Sequence, residues 1–263
     1  MTELESEAME AEFDTVAGWT EEAVRALGPE YAIPAGCRGS GSLGGLRWLA
    51  DRLDLGPGTR VLDDGAGVGG PAGWLAEDRG VRPVCAEPMA AAVRASRRLF
   101  GLSSVVALSQ GLPFADGSFD AAWCLGVLCT TSDKAGALAE LRRVLRPGGR
   151  LGLLVFVADA PLPPPLPEGN EFPSEEELLG LLRDAGFALQ ESADADLSDS
   201  PAEWTERADA VDVEVERRHG HDPAFRQAQE NAKRVGRLLS AGALRAWLGT
   251  ASAEGCADGV LAP

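Results

Sequence analysis

An open α/β sheet of mostly parallel strands is the architecture this sequence predicts, and three observations carry the prediction. Between residues 58 and 157 short β-rich runs alternate with helical patterns, the rhythm of repeated βαβ units. A glycine-rich turn, Gly65-Ala66-Gly67-Val68-Gly69-Gly70, stands where a strand ends and a helix begins, the junction at which open α/β sheets bind ligands. The 263 residues, 45% apolar and 25% charged, suffice for one large domain or a core with an appended cap.

The elements follow in order. Residues 59–63 are a strand and 70–78 a helix, with Pro71 in its first turn and Gly80 as its stop. Residues 81–87 are the next strand, 90–99 a helix ended by Gly101, 105–108 a short strand and 119–125 another. Ser132 or Asp133 caps a helix that runs to Leu145, where Pro147, Gly148 and Gly149 force a turn. Residues 150–157 are an apolar strand deep in the sheet. Five prolines within 161–167 make a stiff connector. Ser174 and Glu177 have capping-box spacing before a helix that ends at Asp184, and 187–192 is a further strand. Two polar helices, 201–219 and 223–239, lie outside the alternation, and with helices expected between residues 7 and 26 they are the material for a lid. Four regions result: an N-terminal helical cap at 1–44, the α/β core at 45–192, a second helical cap at 193–249, and a C-terminal edge strand or tail at 250–263.

Charge narrows the partners. A net charge of −17 repels phosphate backbones and anionic lipid, which argues against nucleic-acid and membrane-surface roles. The longest apolar run, at 151–158, is far too short to cross a bilayer. The acidic N-terminus lacks the pattern of a secretory signal, and five cysteines without a CxxC spacing fit reduced thiols better than a disulfide frame or zinc site, so a cytoplasmic location is expected. No magnesium-site carboxylate set stands out, and no metal is expected.

The glycine turn lets a ligand approach backbone N–H groups that a Cβ would block, although small-residue turns also serve packing. Eighteen residues after Gly69, at the tip of the second strand, stands Glu87. An acid there is placed to accept both hydroxyls of a ribose; its other reading is a solvated strand-end charge. Turn and acid together indicate an adenosine-containing ligand.

Residues 61–69 resemble the first motif of class I S-adenosylmethionine (SAM)-dependent methyltransferases, with Asp63 at the acidic position and glycines at 65, 67 and 69. Residues 112–120, opening Leu112-Pro113-Phe114, and 141–149, closing Arg146-Pro147-Gly148-Gly149, are similar to later motifs of that family, especially its quinone and small-amine methylating branches. The resemblance covers about residues 45–192 and implies a Rossmann-like, doubly wound fold with SAM as cofactor. It places Gly65, Ala66, Gly67 and Gly69 in the cofactor loop, Gly65 and Gly67 close to the methionine portion. Asp63 would orient that loop or the ammonium group. Glu87 would hold the ribose, with Pro88 beside it and Met89 against the adenine. Ser109 and Gln110 would meet the adenine edge, and Leu125 with Gly126 would face the sulfonium and the acceptor. Two departures stand out: Leu108 occupies the position of a customary Asp, and Asp64 replaces an apolar residue, where it binds the ammonium or caps the following helix.

The expected activity is methyl transfer to a small organic acceptor at O, N or C. Catalytic residues are not identified. His219 or His221 would be a base reaching in from the lid or part of a solvated turn, and Tyr31 would touch the ligand or simply pack. Trp19, Trp204 and Trp247 line an acceptor pocket or belong to the core. Cys124 and Cys129 belong to a buried strand and its following loop, or mark a soft-metalloid substrate. The rival readings are a SAM-fold binding protein without methyl transfer and an NAD(P)-dependent oxidoreductase, the latter requiring a G-x-G-x-x-G spacing that the glycines here do not have.

Overall fold

The computed structural model describes residues 3–254. Seven strands, β1 (Val61–Asp64), β2 (Val84–Glu87), β3 (Ser103–Val106), β4 (Phe119–Leu125), β5 (Leu145–Val157), β6 (Phe187–Asp194) and β7 (Arg245–Ala253), form one sheet in the order 3-2-1-4-5-7-6. β1 to β5 are parallel, and β7 runs antiparallel between β5 and β6. The described helices are α1 (Glu3–Leu27), α2 (Ala32–Gly36), α3 (Leu43–Arg52), α4 (Gly70–Arg79), α5 (Ala90–Phe100), α6 (Lys134–Val144), α7 (Glu175–Asp184), α8 (Ala202–His219) and α9 (Pro223–Ser240). None is long and apolar enough to cross a membrane.

The period-two alternation of β4 shows how the sheet is filled on both sides. Ala121, Trp123 and Leu125 pack on Leu46 and Leu49 of α3 and on Leu53 just after it, while Ala122 and Cys124 pack with Leu138 and Leu141 of α6 and Leu178 of α7. The expected capping box starts α7: the Ser174 Oγ accepts from the Glu177 amide, and Glu177 accepts from the Ser174 amide at 2.8 Å.

Five expectations are corrected. β3 spans Ser103–Val106 rather than 105–108, because its register with β2 pairs Ser103 with Val84 and ends at Val106 beside Glu87. β2 starts at Val84 rather than residue 81, after Pro83, which has no N–H to give to a ladder. β5 starts at Leu145: Phe119 pairs with Leu145 and Ala121 with Arg150, so the predicted Pro-Gly-Gly turn is a bulge inside the strand. The C-terminal strand starts at Arg245, not 250, and is an inner strand; β6 holds the edge. Their burial explains the exchange, since β7 is covered along almost its whole length and β6 is mostly exposed after Phe187. The remainder of the predicted tail, 255–263, lies outside the described residues. Finally, α3 begins at Leu43, so the expected boundary at residue 44 falls within its first turn.

The helices outside the alternation come together from both ends of the chain. Ala23 and Val24 of α1, Ala32 and Ala35 of α2, Val211 and Val215 of α8 and Phe225 of α9 share one buried cluster. This cap meets the core at small residues. α2 passes so close to the start of α4 that a Cβ on Gly70 would lie 2.5 Å from the Cys37 amide nitrogen, and one on Gly36 would lie 2.8 Å from the Gly70 Cα. Gly70→Ala is therefore expected to destabilise the protein by about 1–3 kcal/mol, because the obstacle is backbone and cannot rotate away. Gly18→Ala, in a part of α1 with nothing within 4 Å of the new methyl, should instead stabilise it by about 0.5–1 kcal/mol. Urea denaturation midpoints of the two variants check both signs.

Candidate functional site

Two adjacent strands end in acids. β1 closes on Asp63 and Asp64, and its register sets Asp63 beside Cys85 of β2 and Trp123 of β4, and Asp64 beside Ala86 and Cys124. Successive side chains leave a strand on opposite faces, so the two carboxyls flank the sheet at the start of the glycine turn. Glu87 closes β2. The three are 2%, 1% and 3% exposed, and among the described residues no lysine, arginine or histidine pairs with any of them.

Burial has the expected electrostatic result. The Asp63 carboxyl is held well above its ordinary range by burial and then by the charges of Asp64 and Glu87, against the pull of the Trp123 indole and the Ala72 amide. Burial pushes Asp64 up to about 7, with the Ser109 hydroxyl opposing and Glu87 adding to the rise. One oxygen of Asp63 and both of Asp64 lack a hydrogen-bond partner. Glu87 is raised by burial too, but two backbone amides restrain it: Gly67 donates to Oε2 at 2.8 Å and Met89 to Oε1 at 3.0 Å. Glu87 thereby ties the glycine turn to the β2–α5 junction.

The turn itself needs glycine. Gly65, Gly67 and Gly69 have φ of 69°, 54° and 90°, the left-handed region that a Cβ disfavours. Beside Gly67 there is open space, with nothing within 4 Å of where a Cβ would project. A Cβ on Gly65 would run into Val127, from the loop after β4. The cap closes the rim. Asp14 of α1 accepts from the Ala91 amide in the first turn of α5 at 2.5 Å and lies near enough to Glu87 to raise its carboxyl. The chain after α2 crosses the tip of β4, where a Cβ on Gly126 would lie 2.6 Å from the Gly39 carbonyl oxygen.

Most of the expected cofactor residues converge here. Asp63, Gly65, Ala66, Gly67 and Glu87 surround the turn, Pro88 and Met89 follow at its rim, and Ser109 is buried beside Asp64. Leu125 is buried at the tip of β4. Gly69 faces Ser96 and Leu102 and starts α4, a packing position. Gln110 turns to the loop after β4, donating to the Thr131 hydroxyl at 2.5 Å.

The polar candidates from the cap are engaged elsewhere. His219 stacks on Trp19 with ring centroids 4.5 Å apart and an angle of 11°, its Nε2 3.5 Å from Glu22, at the α1–α8 seam. His221 is exposed, and Tyr31 packs against the cap cluster. Trp247 is core, donating to Glu175 at 3.2 Å, and Trp204 packs beside α3. Burial raises the Cys124 thiol and pushes Cys129 up to about 11, so neither offers a thiolate at neutral pH. Asp14 and Val127, both at the site, escaped sequence reasoning because only tertiary contacts bring them there.

A methyltransferase domain family model matches residues 62–153, the span that carries the turn and both acidic strand tips. The O-methyltransferase resE of Aspergillus sclerotiorum is 33% identical over 163 residues, 56% of this chain and 62% of that protein. The O-methyltransferase rstn1 of Aspergillus nomiae is 31% identical over 163 residues, 56% of this chain and 72% of that protein. Among solved structures the [4+2]-cyclase SpnF superposes with a TM-score of 0.63 at 28% identity over 80% of each chain. The chain thus spans less than two thirds of resE. The buried acids of the matched span have a measurable signature. A carboxyl raised above its ordinary value binds its proton more tightly folded than unfolded, so stability falls as pH rises through the window up to about 7 set by Asp64. Denaturation of the ligand-free protein should show a loss on the order of a few kcal/mol between about pH 4 and about pH 7, and Asp64→Leu should flatten that slope. With strand order, turn geometry and matched span in agreement, the chain belongs to the class I SAM-dependent methyltransferase family.

Proposed function

We propose that this chain binds SAM across the tips of β1 and β2 and transfers its methyl group to a small organic acceptor held between the tips of β4 and β5 and the helical cap. One observation carries the reading: buried carboxylates without a cationic partner among the described residues, beside a glycine turn that leaves open space at Gly67. An adenosyl sulfonium with an ammonium group supplies the charge and the hydrogen-bond donors that these residues lack. When bound, that cofactor offers a methyl on a sulfur that leaves readily.

The residues then divide the work. Glu87, oriented by the Gly67 and Met89 amides, keeps acceptor capacity on both oxygens for a ribose diol. Met89 and Ser109 flank the adenine, Gly65 and Gly67 admit the methionine portion, and Asp63 with Asp64 faces its positive groups. Leu125, Gly126 and Val127 bound the place where acceptor and methyl meet. Gly39 over Gly126 and α1 over the β2–α5 junction exclude water. Holding two reactants in line contributes up to about 7–11 kcal/mol in favourable intramolecular cases, so positioning suffices for much of the rate. His219, engaged with Trp19, is assigned a packing role. The two relatives named as O-methyltransferases support a small-molecule acceptor. The net charge of −17 makes nucleic acid an unfavourable partner, and the free buried cysteines suit a reducing, cytoplasmic setting.

Thermal shift tests the cofactor. SAM or its demethylated product S-adenosylhomocysteine (SAH), at about a hundredfold over its dissociation constant, should add roughly 2.7 kcal/mol. Glu87→Ala should weaken both at least about tenfold, the loss of a charged hydrogen-bond partner. Stabilisation by NAD(H) alone would contradict the reading. Methyl transfer from labelled SAM to members of a panel of phenols, amines and activated carbon acids is the expected activity, and binding without transfer to any of them would favour a non-methylating role.

A further inference from the structure

The carboxylates exceed what cofactor binding requires. Glu87 suffices for a ribose, and Asp63 already occupies the acidic position of the turn, yet Asp64 adds a third buried acid with neither oxygen partnered. The groups that face it are Glu87 from β2, Cys124 from β4 and Ser109 from the loop after β3, with Asp63 its neighbour on β1. Asp14 of α1 faces Glu87, and Cys85 faces Asp63. Each titratable member of this set is an acid or a thiol, and among the described residues none has a basic partner. Such a pocket rewards a ligand for its positive charge, because Coulomb energy in a poorly solvated site is far larger than in water.

We infer that Asp64 makes the cofactor site selective for charge, favouring the sulfonium donor over the neutral thioether that remains after transfer and so promoting product release. The inference rests on the proposed cofactor reading. The charge change is intrinsic to the reaction. The S–CH3 bond breaks with its electron pair staying on sulfur, the acceptor's lone pair forms the new bond to carbon, and a proton carried by the acceptor passes to solvent. SAM, with ammonium, carboxylate and sulfonium, carries one net positive charge at neutral pH, and SAH carries none. A cation beside Asp64 stabilises its ionised form, so binding of SAM near neutral pH releases a proton from a carboxyl that burial holds near 7.

The test is calorimetric titration of the full chain with SAM and with SAH, in buffers of different ionisation enthalpy, for wild type, Asp64→Asn and Asp64→Leu. Wild type should prefer SAM on the order of tenfold, from one unscreened charge in the pocket. That preference should grow between about pH 6 and about pH 8 as Asp64 ionises, and SAM should release more protons than SAH. Both variants should lose most of the preference because SAM binding weakens more than SAH binding, and the SAH binding that remains shows that they are folded. Equal or tighter binding of SAH by wild type overturns the inference, as does a preference that neither substitution nor pH alters. Absence of binding by either compound overturns the cofactor reading and this inference with it, whereas binding of both without preference overturns this inference alone.

Discussion

Carboxylates shut away from water, with no cation beside them among the described residues, constrain everything at the open end of this sheet. Such groups are costly unless hydrogen bonded, and the chain meets the cost only in part. Glu87 takes the amides of Gly67 and Met89, which settles the path of the chain on either side of it. The turn from β1 into α4 must then bend through three left-handed glycines to bring the Gly67 amide to Glu87, and β1 must lie directly beside β2 for the reach to be possible. What remains unmet, at Asp63 and Asp64, is the chemical description of a ligand.

The cap answers the same constraint from above. Its two halves are separated by most of the chain, but a shared apolar cluster joins them, and their contact with the core runs through positions where backbone meets backbone. Side chains at Gly36, Gly70 or Gly126 would hold the cap away and let water into the low-dielectric space that makes charge effective there. Further ties serve the same closure. The Ser42 hydroxyl donates to the Asp196 carbonyl at 2.7 Å while accepting from the Gly45 amide, and Glu21 of α1 reaches Arg98 of α5 at 3.1 Å.

Legibility in the sequence followed the range of the interaction. β4 has its predicted bounds because its apolar run is marked by glycine at both ends, and α7 because a capping box is a local device. Asp63 and Glu87 could be singled out because each is defined by a strand end next to a turn. The second half of β7 is small, Gly249, Thr250, Ala251 and Ser252, and carries little β signature; its inner place comes from pairing with β5 and β6 and from the helices packed on the sheet. The bulge at the start of β5 reads locally as a turn because Pro-Gly-Gly is one, and only pairing of Leu145 with Phe119 turns it into strand. Asp14 in the site and His219 against Trp19 depend on where α1 lies, which no local pattern states.

The inner position of β7 carries a consequence for synthesis. β5 and β6 are separated by fewer than thirty residues of connecting chain but never pair; each waits for a strand that is translated last among the described elements. Until residue 253 has left the ribosome, β5 presents an open apolar edge beside α6, a surface of the kind that chaperones hold and that aggregates when left bare. The nascent chain can thus assemble β1 to β4 and the acidic strand tips early. It completes the sheet only as β7 slots in between β5 and β6, so closure of the sheet waits for the element translated after all the other described ones.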